Sequence, residues 1–163
     1  MPKEPPRILA VNPGTRYIGF AAFRGSELLD WGVRVVSAQT PRGRVWVGTR
    51  IVRETIERFQ PDTLAVKRLH ASRSSTSLDR LADSIRKLAR RRKLGLYRYS
   101  ITELKDALCS EAEGNKRRLA EAVAATYPIL SRYFQKELAN RHPYHLRMFE
   151  AVALGIVCYR QEE

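Results

Sequence analysis

Short apolar runs separated by turn residues open the chain and predict three strands. Residues 7–12 (RILAVN) are typical of a buried strand, and the turn signal Pro13-Gly14-Thr15 follows them. Residues 17–24 and 27–36 predict two further strands, joined by the tight turn Gly25-Ser26. A hairpin of this kind makes the first three strands antiparallel.

Helical and strand patterns alternate in the next part of the chain. Residues 44–59 and 78–94 predict two helices, and residues 63–67 and 96–100 predict two strands. The strand, helix, strand series implies a parallel crossover. The apolar face of the first helix consists of Val45, Val52, Ile56 and Phe59, and that of the second of Leu78, Leu81, Ile85 and Leu88.

The remaining residues are predicted to be helical, over 102–108, from the cap Asn115 to about residue 126, and from after Pro143 to about residue 160. The element order is that of the RNase H-like fold, an α/β fold with a five-stranded mixed sheet, three antiparallel strands then parallel ones, flanked by helices. We expect one domain over residues 1–163, with residues 1–6 as a disordered lead-in.

Charge is the strongest signal in the composition. Thirty Lys and Arg residues against seventeen Asp and Glu give a net charge of +13. A field of this size attracts phosphate backbones, although ribosomal and membrane-surface proteins are basic as well. The apolar runs are too short to cross a bilayer, and two cysteines suit neither a thiolate zinc site nor a disulfide framework. We therefore expect a cytoplasmic protein that binds nucleic acid.

Three segments together resemble the RuvC family of Holliday-junction resolvases. Residues 8–19 (ILAVNPGTRYIG) resemble the first strand and turn of the family, where an aspartate precedes Pro-Gly-Thr. Residues 61–69 (PDTLAVKRL) resemble the fourth strand, which ends in a glutamate. Residues 145–156 (HLRMFEAVALGI) resemble the last helix, where an aspartate precedes Ala-x-Ala. The segments follow the family's order over nearly the whole chain, so the resemblance also implies the RNase H-like fold.

The resemblance implies a nuclease in which three or four carboxylates hold two divalent ions. Here Asn12 stands at the first aspartate position and Lys67 at the glutamate position, while Arg147 and Glu150 stand at the two last-helix positions. These degenerate positions carry a formal charge of +1, whereas the family pattern carries about −3 to −4. An amide brings no charge and an ammonium repels a cation, so we expect no bound metal cofactor and assign no catalytic residue.

Lys67 has two interpretations. In the first, its ammonium lies where a metal ion would lie and pairs with Glu150, with Asn12 accepting a hydrogen bond. In the second, Lys67 points into solvent at the end of a strand. A separation above about 5 Å between the ammonium and the Glu150 carboxylate would exclude the pairing.

Basic residues after the first turn and after the fourth strand predict the nucleic-acid contacts. Residues 84–98 contain seven basic residues and no acid, and Arg86, Arg90 and Lys93 share one helix face. A solvated helix end and an ordinary flexible loop at residues 67–77 are the alternatives. The candidate binding residues are Arg16, Tyr17, Arg68, Arg73, Arg86, Lys87, Arg90, Arg91, Arg92 and Lys93.

The resemblance also implies a homodimer with the helix after the fourth strand at its interface. The leucine face of that helix suits either a dimer contact or the core. His70, His142 and His145 show no metal-ligand spacing.

The leading hypothesis is a non-cleaving protein that binds branched DNA, in particular Holliday junctions. The second is an active Mg²⁺-dependent endodeoxyribonuclease with a rearranged or single-metal site of Glu150 and Asn12, to which Asp30 or Glu27 is a candidate addition. The third is a scaffold within a recombination or mobile-element complex. A cleavage assay on a four-way junction separates the first two hypotheses, whereas DNA against RNA stays open.

Overall fold

The central sheet has five strands in the order β3-β2-β1-β4-β5. The computed structural model describes residues 3–69, 75–109, 115–139 and 144–162. β2 pairs antiparallel with β1 and β3, whereas β4 pairs parallel with β1 and β5. The mixed sheet confirms the expected fold class. The strands are β1 (Arg7–Asn12), β2 (Tyr17–Arg24), β3 (Glu27–Val35), β4 (Thr63–Lys67) and β5 (Gly95–Tyr99).

Helices cover both faces of this sheet. They are α1 (Pro41–Phe59), α2 (Thr76–Arg91), α3 (Ile101–Leu108), α4 (Lys116–Thr126), α5 (Ser131–Ala139) and α6 (Leu146–Glu162). A 3₁₀ turn at Pro128–Leu130 precedes α5, and neither of these two elements was predicted from the sequence. The helix starts were predicted one to three residues late because the caps are Thr40, Ser75 and Ser100, which accept hydrogen bonds from the first turns of α1, α2 and α3.

The side chains of β1 alternate between two cores. Leu9 and Val11 pack with α1 and α2, whereas Ile8 and Ala10 pack with the helices on the other face. Successive residues of a strand point to opposite faces, so a strand that is buried on both faces is apolar throughout. This explains the unbroken apolar run of residues 8–11 and places β1 at the centre of the sheet.

The last helix, α6, is enclosed along most of its length. Residues 148–159 are all buried, and α6 packs against β1, β2, β4 and α4. Gly155 lies against the ring of Phe23, where a Cβ atom would overlap the ring. A helix that is apolar all round is typical of such a buried position, which is why a charged residue within it is informative.

The predicted lead-in is partly held in place. Residues 3–6 have no regular secondary structure, but the Pro6 carbonyl accepts a hydrogen bond from Gly25 N at 2.8 Å. In the described ranges no helix combines the length and apolarity that crossing a membrane requires.

Candidate nucleic-acid interface

The carboxyl ends of β1 and β4 bring two of the predicted site positions side by side. These strands are parallel neighbours with Val11 paired to Val66, and Asn12 and Lys67 are the residues that end them. Both side chains therefore lie at one edge of the sheet. This edge is called the strand-end site below.

The first turn of α6 brings Glu150 to the strand-end site. The helix can approach β2 closely because Gly19 lies against the backbone carbonyl of Arg147, where no Cβ would fit. The side chain of Asn12 adds a hydrogen bond, its Nδ2 donating to the same carbonyl at 3.2 Å. Glu150 follows Arg147 by one turn and is buried against the strand ends.

Three groups hold the Glu150 carboxylate. Asn12 Nδ2 donates to Oε2 at 2.6 Å, and Lys67 Nζ lies 3.0 Å from the same oxygen. Lys116 Nζ lies 3.2 Å from Oε1. This last contact is an ion pair rather than a well-aligned hydrogen bond, since Oε1 has no hydrogen-bond partner of normal geometry within the described residues.

The expected pairing of Lys67 with Glu150 is confirmed at 3.0 Å, and the interpretation of Lys67 as a solvent-facing strand end is wrong. The expected role of Asn12 is also wrong in one respect. Asn12 donates to Glu150 rather than accepting a hydrogen bond, because an ionised carboxylate has only acceptors.

Burial and charge oppose each other at this site. The side chain of Glu150 is 5% exposed, that of Lys67 17% and that of Lys116 42%. Burial alone raises the pKa of Glu150, but the ammonium groups of Lys67 and Lys116 outweigh it, and the pKa lies below the ordinary value. For Lys67, burial lowers the pKa more than the Glu150 charge raises it.

Lys116 is a member of the strand-end site that was not predicted from the sequence. It is the first residue of α4, and Asn115 caps this helix by accepting a hydrogen bond from Arg118 N. The cap was predicted correctly, but the direction of the following side chain depends on how α4 packs against α6. No local pattern encodes that packing.

The family model described as "Crossover junction endodeoxyribonuclease RuvC" matches residues 8–139, which is most of the chain. The chain belongs to the RuvC family. No curated protein sequence shows significant similarity to it.

The solved structures of a Thermus RuvC and of a yeast mitochondrial resolvase share the fold at low sequence identity. The Thermus thermophilus RuvC in complex with a Holliday junction substrate is 18% identical, with a TM-score of 0.71 over 96% of this chain and 94% of that chain. The yeast mitochondrial Holliday junction resolvase Ydc2 is 12% identical, with a TM-score of 0.69 over 99% of this chain and 82% of that chain. Relatives this distant establish the common fold.

The strand-end site does not suit the two divalent ions that the RuvC resemblance implies. Mg²⁺ prefers charged oxygen ligands, and the two oxygens of Glu150 are in contact with the ammonium groups of Lys67 and Lys116. Asn12 directs its Nδ2 toward the site, and an N–H group cannot bind a cation. In the described ranges no three His, Cys, Asp or Glu residues come together as metal ligands.

Arg147 adds a further positive charge beside the site, as the resemblance to the last helix of the family implied. Its guanidinium lies against Gly14, in the turn after β1. Its charge acts to lower the pKa of Lys67, as does that of Lys116. Three basic side chains thus surround one acid at the strand-end site.

A cleft of about 350 Å³ lies next to Lys67, between α2 and the strands β4 and β5. It is lined by the basic side chains of Lys67, Arg68, Arg86 and Arg98 together with Asp79 and Asp83. Two of the predicted binding residues are thus brought to the site. Both are also paired, Arg68 with Glu103 and Arg86 with Asp83.

Arg16 and Tyr17 lie just after the turn that follows β1, and both are exposed. The ring of Tyr17 packs edge-on against Tyr144, with 5.3 Å between the centroids. Their position at the same edge as Asn12 agrees with a role in binding. Arg73, His70 and His142 lie outside the described residues.

The basic end of α2 is at the other end of the sheet. α2 leaves the Lys67 end of β4 and runs back to the start of β5, where Gly95 pairs with Thr63. A 16-residue helix is about 24 Å long, so the end of α2 cannot flank the strand-end site directly. The residues concerned are Lys87, Arg90, Arg91, Arg92 and Lys93.

Acids also reach this helix from elsewhere in the fold. Arg92 Nη2 lies 2.8 Å from Glu57 Oε1 of α1. The charge of the basic residues in the segment 84–98, which contains no acid of its own, is therefore partly compensated by α1. The second helix was predicted to run to residue 94, whereas α2 ends at Arg91, Lys93 takes the left-handed conformation with φ of 56° and Gly95 begins β5.

The leucine face of α2 belongs to the core. Leu81, Ile85 and Leu88 are buried against β1, β4 and α1, with Leu78 packed at the margin. Their spacing therefore gives no evidence for a dimer contact. His145 lies at the start of α6 between the rings of Tyr133 and Tyr144, so its surroundings are aromatic.

The alternative site with Glu27 or Asp30 is wrong. Glu27 begins β3 opposite Arg24, at the end of the sheet away from Asn12. Asp30 lies midway along β3, where its Oδ2 is 3.4 Å from Arg58 Nη2. Neither carboxylate joins Glu150, so a rearranged acidic cluster with these residues does not form.

Proposed function

We propose that the chain binds branched DNA of the Holliday-junction type and does not cleave it. The observation that supports this proposal most strongly is the pair of ammonium groups on the buried Glu150 carboxylate. Two-metal hydrolysis requires carboxylates to concentrate divalent ions at the phosphodiester. Here Glu150 is the one acid at the four family positions, and Lys67 and Lys116 already neutralise it.

Charge at the strand-end site supports binding of phosphate rather than metal. Lys67, Lys116 and Arg147 exceed the single acid Glu150 by two positive charges. Cationic side chains attract nucleic-acid backbones without a bridging metal ion. The interaction is therefore expected to persist in a chelator and to weaken as salt concentration rises.

Selectivity for branched DNA is supported by the family and the shared fold. The Thermus relative is described in complex with a Holliday junction substrate, and the yeast relative is described as a Holliday junction resolvase. A resemblance in fold does not fix the ligand. The ligand of this chain is therefore part of the proposal and is decided by experiment.

Homodimer formation and a cytoplasmic location complete the proposal. The homodimer rests on the resemblance to RuvC proteins, and the location rests on the cysteine content of the sequence. Because the leucines of α2 are used in the core, a dimer contact must use its polar outer face or another surface. Sedimentation velocity at two protein concentrations tests this part independently of DNA binding.

The experiment is a binding series with a four-way junction, a duplex of the same sequence and the corresponding RNA duplex, each in Mg²⁺ and in EDTA at equal ionic strength. We expect the junction to bind most tightly, with equal affinity in Mg²⁺ and in EDTA. Denaturing gels of the same samples are expected to show intact strands.

Lys116→Met is the informative variant because its side chain is half exposed and its loss leaves Glu150 paired with Lys67. We expect weaker junction binding without unfolding. Mg²⁺-dependent cutting that disappears in Glu150→Ala would overturn the proposal, and equal affinity for junction and duplex would overturn its structural selectivity.

A further inference from the structure

An exposed aromatic side chain, that of Tyr17, lies at the start of β2 beside the strand-end site. Tyr17 is 36% exposed and precedes by two positions Gly19, the residue that pairs with Asn12. Residues two apart in a strand point to the same face and lie about 7 Å apart. Tyr17 is therefore on the face where Gly19 meets the backbone of Arg147, next to the first turn of α6.

Tyr144 holds the ring of Tyr17 in place. The two rings meet edge-on, with their planes at 86° and their centroids 5.3 Å apart. Tyr144 is itself anchored, because its ring packs against His145 and its hydroxyl donates to the Val33 carbonyl at 3.4 Å. An edge-on neighbour covers at most one face of a ring, so Tyr144 leaves a face of Tyr17 uncovered. This supported ring is called the tyrosine platform below.

Cations without acidic partners adjoin the tyrosine platform. Arg16 is the preceding residue and is exposed, and the guanidinium of Arg147 lies against Gly14 in the turn before it. Neither arginine forms an ion pair within the described ranges. An aromatic face among cations is the combination with which proteins bind unpaired nucleotides, since the base stacks on the ring and the phosphates meet the charges.

The tyrosine platform and the expected dimer contact are on opposite faces of the sheet. Ile18 packs in the core beneath α1 and α2, so its neighbours Tyr17 and Gly19 point to the face that α6 covers. The RuvC resemblance places the dimer contact at α2, on the first of these faces. β2 is two strands from β4, or about 10 Å across the sheet, so one DNA molecule can reach both the platform and Lys67.

We propose that the tyrosine platform stacks an unpaired base of branched DNA, with Arg16 and Arg147 on the flanking phosphates. The inference rests on the proposed function and adds the feature of the DNA that is recognised beside the strand-end site. An unpaired base costs least to take out of the duplex stack. The platform therefore favours branched or interrupted DNA over a continuous duplex.

An apolar protein surface is the alternative occupant of the tyrosine platform. Such a partner would bury the ring of Tyr17, but Arg16 and Arg147 would then lose water without gaining an acid, which is costly for a charged group. Phosphates supply the missing anions. A nucleic-acid ligand therefore suits the charges as well as the ring.

The test compares two four-way junctions, one with a single unpaired thymine at the branch and one with an abasic site in its place. Both keep the same phosphates, so the ratio of the two affinities measures the base alone. Stacking on an aromatic ring is expected to make this ratio roughly five- to a hundredfold for the natural chain. Tyr17→Ala is expected to bring the two affinities together, whereas Tyr17→Phe keeps the ring and most of the ratio.

Two control variants show whether the effect belongs to the tyrosine platform. Tyr97→Ala removes a tyrosine of similar exposure, 39%, from β5 and is expected to leave the ratio unchanged. Lys116→Met is expected to weaken the binding of both junctions by the same factor. Thermal melting confirms that each variant is folded.

Equal affinities of the natural chain for the two junctions would overturn the inference, as would a ratio that Tyr17→Ala leaves within about twofold of the natural value. Failure of the proposed function has a different signature. The fully paired junction would then bind no better than duplex or would be cut in Mg²⁺, whereas the thymine-to-abasic ratio compares two DNAs of the same architecture and is read independently of both results.

Discussion

Two basic regions lie at opposite ends of the same sheet and differ in almost every physical respect. At the strand-end site, cations converge on the buried carboxylate of Glu150. At the end of α2, exposed arginines face solvent, and Arg92 pairs with the exposed Glu57. The second region is far more conspicuous in sequence, yet the first has the buried, converging charges on which the proposed function rests.

The difference shows that burial, rather than the number of charges, determines what a charged group costs and what it can do. An ion pair in water contributes about 0–1 kcal/mol. Removing one partner of a buried pair costs about 3–5 kcal/mol, because the other charge is left uncompensated. The two regions therefore respond differently to the same kind of mutation.

The largest effect on stability is expected when the buried acid at the strand-end site is removed. Glu150→Ala leaves Lys67 and Lys116 without their common partner and is expected to lower the free energy of unfolding by about 3–5 kcal/mol. Its matched control, Glu57→Ala, removes the exposed partner of Arg92 and is expected to cost about 1 kcal/mol or less. Urea unfolding of both variants measures the two losses in the free energy of unfolding. Equal losses would mean that the ion pair at the strand-end site is no more costly to break than the exposed pair at the end of α2.

The next largest effect is expected on DNA affinity, which should depend on the strand-end site more selectively than on the end of α2. Lys116→Met is expected to weaken junction binding by about tenfold, the equivalent of 1.4 kcal/mol, and to reduce the preference for junction over duplex. Arg90→Glu combined with Arg91→Glu, at the far end, is expected to weaken both DNA forms equally through the general field. Fluorescence anisotropy on both DNAs compares the variants. A larger loss of selectivity in the far-end variant would reverse the assignment of the two regions.

A pH effect is expected at the strand-end site. The pKa of Glu150 is below its ordinary value of 4.5, so the unfolded chain takes up a proton before the folded chain does. The stabilisation from Glu150 is therefore complete above pH 4.5 and is lost as the pH falls through the folded pKa. The free energy of unfolding should therefore fall less steeply with decreasing pH in Glu150→Gln than in the natural chain. Denaturant unfolding at several pH values below neutrality measures this slope. An unchanged slope would mean that Glu150 is not held by the lysines in solution.

The smallest effect is expected at the far end, from the backbone. Lys93 has a positive φ of 56°, a conformation that costs a side chain about 1 kcal/mol and that glycine adopts freely. Lys93→Gly is expected to raise the free energy of unfolding by a few tenths of a kcal/mol after the added flexibility of the unfolded chain is subtracted. Lys87→Gly, inside α2, should instead cost about 1 kcal/mol. A loss in both variants would contradict the role of Lys93 in ending the helix.

The fold was largely predictable because its strands are short apolar runs with clear turns between them. The sequence predicted β1, β2 and β4 with their observed ends and identified Asn115 as the cap of α4. Helix starts were missed where Thr40 and Ser75 precede polar first turns. α5 was missed because the proline at position 128 suggested an end to helical structure.

The site was only partly predictable. The family motif located Asn12, Lys67 and Glu150, and opposite charges allowed their pairing to be anticipated. Lys116 was not found, because its contact with Glu150 depends on the packing of α4 against α6. The basic run of α2 was overvalued because the predicted parallel crossover was not followed to its consequence. A helix between two parallel strands runs back to the start of the second strand, so the end of α2 lies away from Lys67.

The ammonium groups of Lys67 and Lys116 contact the Glu150 carboxylate, where the family pattern implies divalent ions. Calorimetric titration of Mg²⁺ into the free protein distinguishes the two arrangements, with the variant Asn12→Asp plus Lys67→Glu as the comparison, since it restores two of the acids in the family pattern. We expect no saturable Mg²⁺ binding to the natural chain and measurable binding to the variant. Saturable binding to the natural chain that disappears in Glu150→Gln would contradict the account.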